Sequence, residues 1–173
     1  MPANVCPIVP AVFHKARLSF EFVDISEQDY CIDQELVHDM VSSHRYGGLL
    51  FVRTYGYYEN LSSFFGELRK TDQDILLIDD RCLCEPSFEC SNEAADVVLY
   101  STGNRKYADI GFGGFAFIED HVPYAHQALG YSDAALQSLE DNFKISIERG
   151  EQFPYSDADW LDGRALEVSL MKY

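Results

Sequence analysis

Positive charge is scarce in this chain. Its 173 residues carry 13 Lys and Arg against 29 Asp and Glu, a formal net charge of −16 with histidine neutral. No basic patch is available to displace counterions from phosphate. That argues against nucleic acid or an anionic membrane as the main partner. Long apolar runs are missing too, and none approaches the roughly 20 residues of a spanning helix. The opening MPANVCPIVP has neither the basic start nor the small-residue cleavage site of a secretory signal. Cysteine is sparse and odd in number: Cys6, Cys31, Cys82, Cys84 and Cys90. That pattern predicts reduced thiols and a cytoplasmic protein, not a disulfide framework. No repeat or low-complexity linker interrupts the chain.

The chain does contain core-forming material. Apolar residues make up 47%, with 12 Phe and 11 Tyr, enough for one sizeable core. Pro7 suits the first turn of a helix whose apolar residues Val9, Val12, Phe13 and Ala16 recur at helical spacing. Residues 18–25 (LSFEFVDI) alternate and read as a strand. Asp33 is placed to cap a helix with Leu36, Val37, Met40 and Val41 on one face. Residues 47–52 (GGLLFV) form a short continuous apolar run, as expected of a strand covered on both faces. Asn60 can cap a helix with Leu61, Phe64, Phe65 and Leu68 on its apolar side. Residues 75–78 and 97–100 are two more buried strands, and 115–118 another apolar run. Strand alternating with helix predicts an α/β fold with a mostly parallel sheet. Beyond residue 120 the strands stop. Ser132 opens a helix ending at Gly150, and Ser156 opens a second. The expected organisation is an α/β core over 1–120 with a helical C-terminal extension over 121–173.

Chemistry collects between residues 75 and 120. One apolar run ends in Asp79 and Asp80 (LLIDD). The next ends in Ser101, and Lys106 follows five residues later (STGNRK). Gly111, Gly113 and Gly114 then lead into the last run (GFGGFAF). In an open α/β sheet, groups at strand ends meet beyond the carboxyl edge. Read alone, each has a plain alternative: a solvated lysine, a structural acid pair, a structural serine, glycines for a tight turn. Arg81 could bind an anionic group, but pairing with Asp79 is the simpler expectation. Cys82, Cys84 and Cys90 with a nearby histidine such as His121 or His126 are a weak zinc pattern, and buried small thiols are expected instead.

Taken in order, these motifs resemble the DegT/DnrJ/StrS family of fold-type-I sugar aminotransferases, over roughly residues 2–120. PANVCPIV, FEFVDIS and FVRTYG extend the likeness upstream. The resemblance implies a three-layer sandwich, here part of the family's large domain, and pyridoxal phosphate (PLP) as cofactor. It matches Lys106 to the Schiff-base lysine, Asp80 to the acid beside the pyridine nitrogen and Ser101 to a phosphate contact. It implies a nucleotide-linked keto-sugar as substrate, an amino acid as nitrogen donor, and a homodimer. The family's upstream Gly-Thr phosphate segment, its ring-stacking aromatic near residues 4–6, its glutamine at position 83 (Leu83 here) and its C-terminal small domain have no counterparts. A companion chain completing the site is therefore expected, or else a non-catalytic aminotransferase-like domain that binds a partner. An unrelated flavodoxin-like doubly wound domain fits less well, because no Gly-rich loop follows the first strand.

Overall fold

The computed structural model describes residues 1–87, 94–103, 105–110 and 113–125, with 141, 144, 145 and 148–150. The chain divides into two units, Met1–Val5 with Glu21–Tyr124, and Cys6–Phe20 with Ala125–Tyr173.

The first unit is built on a mixed, mostly parallel sheet. Its strands are β1 (Gly48–Val52), β2 (Leu76–Asp80), β3 (Val97–Ser101) and β4 (Gly114–Ile118), side by side in that order. β1, β2 and β3 are parallel, and β4 runs antiparallel to β3. Two parallel neighbours need a crossover. A helix over Ser62–Thr71 supplies it between β1 and β2. The architecture is α/β, as strand–helix alternation predicts.

Sequence reasons for these elements are local. Asp33 accepts hydrogen bonds from the N–H groups of Glu35 (2.9 Å) and Leu36 (3.1 Å), and caps the helix over Gln34–Val41. Val37 and Val41 of that helix are buried, an i, i+4 pair on one side. Leu36 is exposed, because one residue turns a helix by about 100° and carries it off that side. The cap expected of Asn60 does not form: Leu61 stands at the N-cap position with no side-chain cap hydrogen bond, and Asn60, one residue earlier, only accepts from the N–H of Ser62 at 2.9 Å, a local turn leading into the helix. Leu61, Phe64, Phe65 and Leu68 pack from that segment into one cluster with Leu49, Phe51, Leu77 and Val98 of the sheet. Phe51 meets Phe64 and Phe65 edge-on, with centroids 6.1 and 6.2 Å apart. Each fully buried phenylalanine contributes on the order of 1.5–3 kcal/mol.

The strand expected over 18–25 does not form. Two isolated bridges stand there instead, Pro2 with Val23 and Ile25 with Ile32. Alternation predicts which way side chains point, but a strand also needs a partner along its length, and Leu18 and Phe22 remain exposed.

In the second unit a helix spans Ile8–Lys15, with Pro7 at its N-cap. Pro10 is tolerated because it lies in the first turn, where N–H groups have no partner within the helix. Phe13 packs edge-on against Phe20 at 5.8 Å. The helix expected from Ser132 is described at 141, 144, 145, 148 and 149, all helical, and Gly150 follows with a left-handed φ of 64°. The helix expected from Ser156 lies outside the described residues. Among the described residues no helix is long and apolar enough to cross a membrane.

Candidate functional site

Three parallel strands end together and continue into polar residues. β1 runs into Arg53, β2 closes on Asp79 and Asp80 before Arg81, and β3 closes on Ser101. Successive side chains of a strand point to opposite faces. The register pairs Phe51 and Val98 with Asp79, and pairs Val52 and Leu99 with Asp80. Asp79 therefore stands on the face that carries Phe51, Val98 and the helical core. Asp80 stands on the other face, together with Ser101.

On the core face, Asp79 is 0% exposed and Arg53 1%. Arg53 grips Asp79 bidentately, Nε to Oδ1 and Nη2 to Oδ2, both at 2.8 Å. Arg81 Nε donates to the same Oδ2 at 2.7 Å. The expected Arg81–Asp79 pair is thus present, and Arg53 joins it. Arg53 also donates through Nη1 to the Glu59 carbonyl, and its guanidinium lies 5.0 Å from the Tyr58 ring centroid. Arg81 Nη1 lies 3.4 Å from the Tyr100 hydroxyl, and Tyr100 stacks on Phe115 at 4.9 Å. Bidentate charge-assisted hydrogen bonds of this kind fix geometry as well as energy. The backbone N–H of Arg53 also donates to the Asp80 carbonyl at 3.0 Å.

On the other face, Asp80 is 8% exposed. Its Oδ1 accepts the Cys82 N–H at 2.9 Å. Burial pushes its carboxyl above the usual aspartate range, and the negative charge of Asp79 adds to the rise. Hydrogen bonds from the thiol and N–H of Cys82, then the positive charge of Lys106, pull the other way without reversing it. Burial and the neighbouring Asp80 push the Cys82 thiol up as well, and Lys106 again opposes. Burial pushes the Cys84 thiol up to about 11. None of these is a reactive thiolate at neutral pH.

The turn after β3 is tight. Ser101 Oγ accepts from the Gly103 N–H at 3.3 Å, and the Lys106 N–H donates to the Gly103 carbonyl at 3.2 Å. Gly114 pairs with Ser101 in the register, and any Cβ there would run into the Tyr100 carbonyl. Gly113 takes a left-handed φ of 83°, as a tight turn before the strand requires, and Gly111 lies outside the described residues.

Asp80 and Ser101 thus share a face at the carboxyl edge, and Lys106 acts on Asp80 from the loop that follows. A buried acid, an amine and a hydroxyl at one edge suit carbonyl and amine chemistry. Arg53 escaped the sequence reading, although an arginine directly after a fully apolar strand was a usable signal. Asp96, buried at the opposite edge of the sheet, gave no signal at all. Its carboxylate accepts from the Leu77 N–H at 2.6 Å, from Arg69, and lies 2.8 Å from His121 Nε2. Among the described residues no group of three His, Cys, Asp or Glu is placed to hold a metal ion, and Cys90 lies outside them.

No protein-family model, no curated protein and no solved structure matches this chain.

Proposed function

We propose that this chain is an aminotransferase-like protein using pyridoxal phosphate, acting in the cytoplasm on a nucleotide-linked keto-sugar with an amino acid as nitrogen donor. The observation that carries the reading is the convergence at one strand-end edge. Asp80 is buried there, Ser101 shares its face, and the Lys106 charge bears on Asp80. These residues fit the cofactor's needs in kind. Asp80 would hold the ring nitrogen, Ser101 part of the phosphate, and Lys106 the carbonyl carbon through its amine. The cofactor, when bound, supplies an electron sink for a carbanion beside nitrogen. The chain's own part is then proton work: Lys106 Nζ moves a proton at the substrate carbon, and Asp80 holds one at the ring nitrogen. A three-layer sandwich belongs to the same reading, and the half-buried Ile78 and Leu99 on Asp80's face support a covering layer there. A homodimer or a companion chain would complete the phosphate cradle.

The second reading is a non-catalytic domain of the same type that binds a partner. One observation favours it. Burial biases Asp80 toward its neutral form, whereas an acid serving a protonated ring nitrogen works as a carboxylate.

Titrating the purified chain with pyridoxal phosphate separates the two. The enzyme reading expects the visible absorbance of a lysine-linked pyridoxal ring, lost in Lys106→Ala and weakened in Asp80→Ala. A spectrum that Lys106→Ala leaves unchanged rejects it.

A further inference from the structure

Two tyrosines near the strand-end edge adopt a backbone that tyrosine rarely takes. Tyr30 has φ 61° and Tyr55 φ 55°, both left-handed. Bulky side chains pay steric energy there, and such strain persists only where the surroundings impose it, often at a binding surface. Here the surroundings do impose it. Tyr30 lies between Asp29, whose Oδ1 accepts the Cys31 N–H at 3.0 Å, and the buried Cys31. Its carbonyl accepts Asn4 Nδ2 at 2.9 Å. Tyr55 lies between the buried Thr54 and Gly56, whose N–H returns to the Arg53 carbonyl at 3.1 Å. The two loops meet at the Tyr30 and Tyr55 rings themselves.

The anchors are buried but the rings are not. Tyr30 is 53% exposed and Tyr55 80%. Their centroids stand 6.1 Å apart with planes at 78°. Two rings at nearly a right angle form the walls of an aromatic corner. A cation is attracted to ring faces within about 6 Å of their centroids, and alkylated ammonium groups suit such corners because they need no hydrogen-bond acceptor. The charge of the chain points the same way, since a net −16 draws cations and repels anions. Asp29 precedes Tyr30 and Glu59 follows Tyr55 by four residues, while the nearby Arg53 is buried and bonded to Asp79. Arg53 already lies over Tyr58 in the same loop.

We propose that the Tyr30–Tyr55 corner is a binding site for the quaternary ammonium head of a small molecule. The site goes beyond the proposed cofactor chemistry and does not depend on it. The test is calorimetric titration of the full chain with choline, and with 3,3-dimethylbutan-1-ol, its uncharged isostere. Choline binding is expected, with the isostere much weaker. Tyr30→Ala is expected to weaken choline about threefold, the loss of one solvent-exposed cation–π contact. Tyr30→Phe and Tyr55→Phe are expected to retain it. Tyr55→Asn removes the ring at a position whose backbone asparagine accepts more easily, so its melting temperature should equal or exceed the parent's while choline affinity drops. Equal binding of the isostere, unchanged binding in Tyr30→Ala and Tyr55→Asn, or no heat with choline at millimolar concentration each overturns the proposal.

Discussion

Asp79 and Asp80 are adjacent in the chain, yet the pleat sends them to opposite faces of the sheet. Asp79 meets two guanidiniums, and Asp80 meets a thiol, a backbone N–H and the field of one lysine. The consequence for Asp80 can be worked out in sign. Its carboxyl titrates above the value of about 3.9 that it has in the unfolded chain. Over the range between those two values the folded state holds more protons than the unfolded one. Stability therefore falls as pH rises through that range. Asp80→Asn should abolish this slope and leave the protein more stable than the parent above it, because a buried charge is removed and the amide oxygen can still accept from Cys82. Urea unfolding midpoints at several values between about pH 4 and pH 8 would show it. Parallel pH curves for the two proteins would refute the assignment. The acid pair was legible as a strand end. So was the Arg81–Asp79 pair; that Arg53 would join it, and that Asp79 would be fully buried, were not, since the pattern LLIDD does not say which face the core covers.

At the scale of elements, the Arg53–Asp79 contact ties the end of β1 to the end of β2. Arg53 has its backbone bonded to Asp80 and its side chain to Asp79, so one residue sets both strand ends. Breaking a buried pair strands a charge and typically costs about 3–5 kcal/mol. Asp79→Ala should lose at least that much, because it strands both Arg53 and Arg81; Arg53→Met leaves Asp79 paired with Arg81 and should lose less, and Arg53→Met with Asp79→Leu should recover only the part owed to Arg53. Denaturant melts of the two single variants and the double would give the coupling, and additive losses would contradict it. Elements declared by local chemistry were readable beforehand. The Asp33 cap and the apolar runs of the four described strands needed nothing beyond neighbours in sequence, whereas Asn60 falls one residue short of the N-cap position. The failed strand over 18–25 shows the boundary. Its alternation is real, but among the described residues Val23 and Ile25 find single bridges and no long partner strand.

At the scale of the whole molecule, excess negative charge dominates. Self-repulsion among 29 acidic groups opposes compaction, and salt screens it over a Debye length of about 10 Å at 0.1 M. The melting temperature should rise as sodium chloride is raised from about 0.01 M to about 0.3 M. Exposed pairs such as His44 with Asp72 weaken over the same range but are worth little. A fall in melting temperature would show that ion pairs outweigh repulsion. The pairs that resist salt are the buried ones. Asp79 with Arg53 and Arg81 is such a cluster at the carboxyl edge of the sheet, whereas Asp96 at the opposite edge is buried but its partners Arg69 and His121 are partly exposed.

The amino-acid order alone determined the α/β class, the Asp33 helix cap and the arrival of an acid, a hydroxyl and an amine after successive strands. Those follow from short-range spacing and from the two-residue period of a strand. Tertiary structure alone decided which face of the sheet the core covers, that Arg53 joins Arg81 on Asp79, and that Tyr30 and Tyr55 form a corner. These outcomes depend on strand register and on contacts between residues some 25 positions apart. No local window of sequence contains that information.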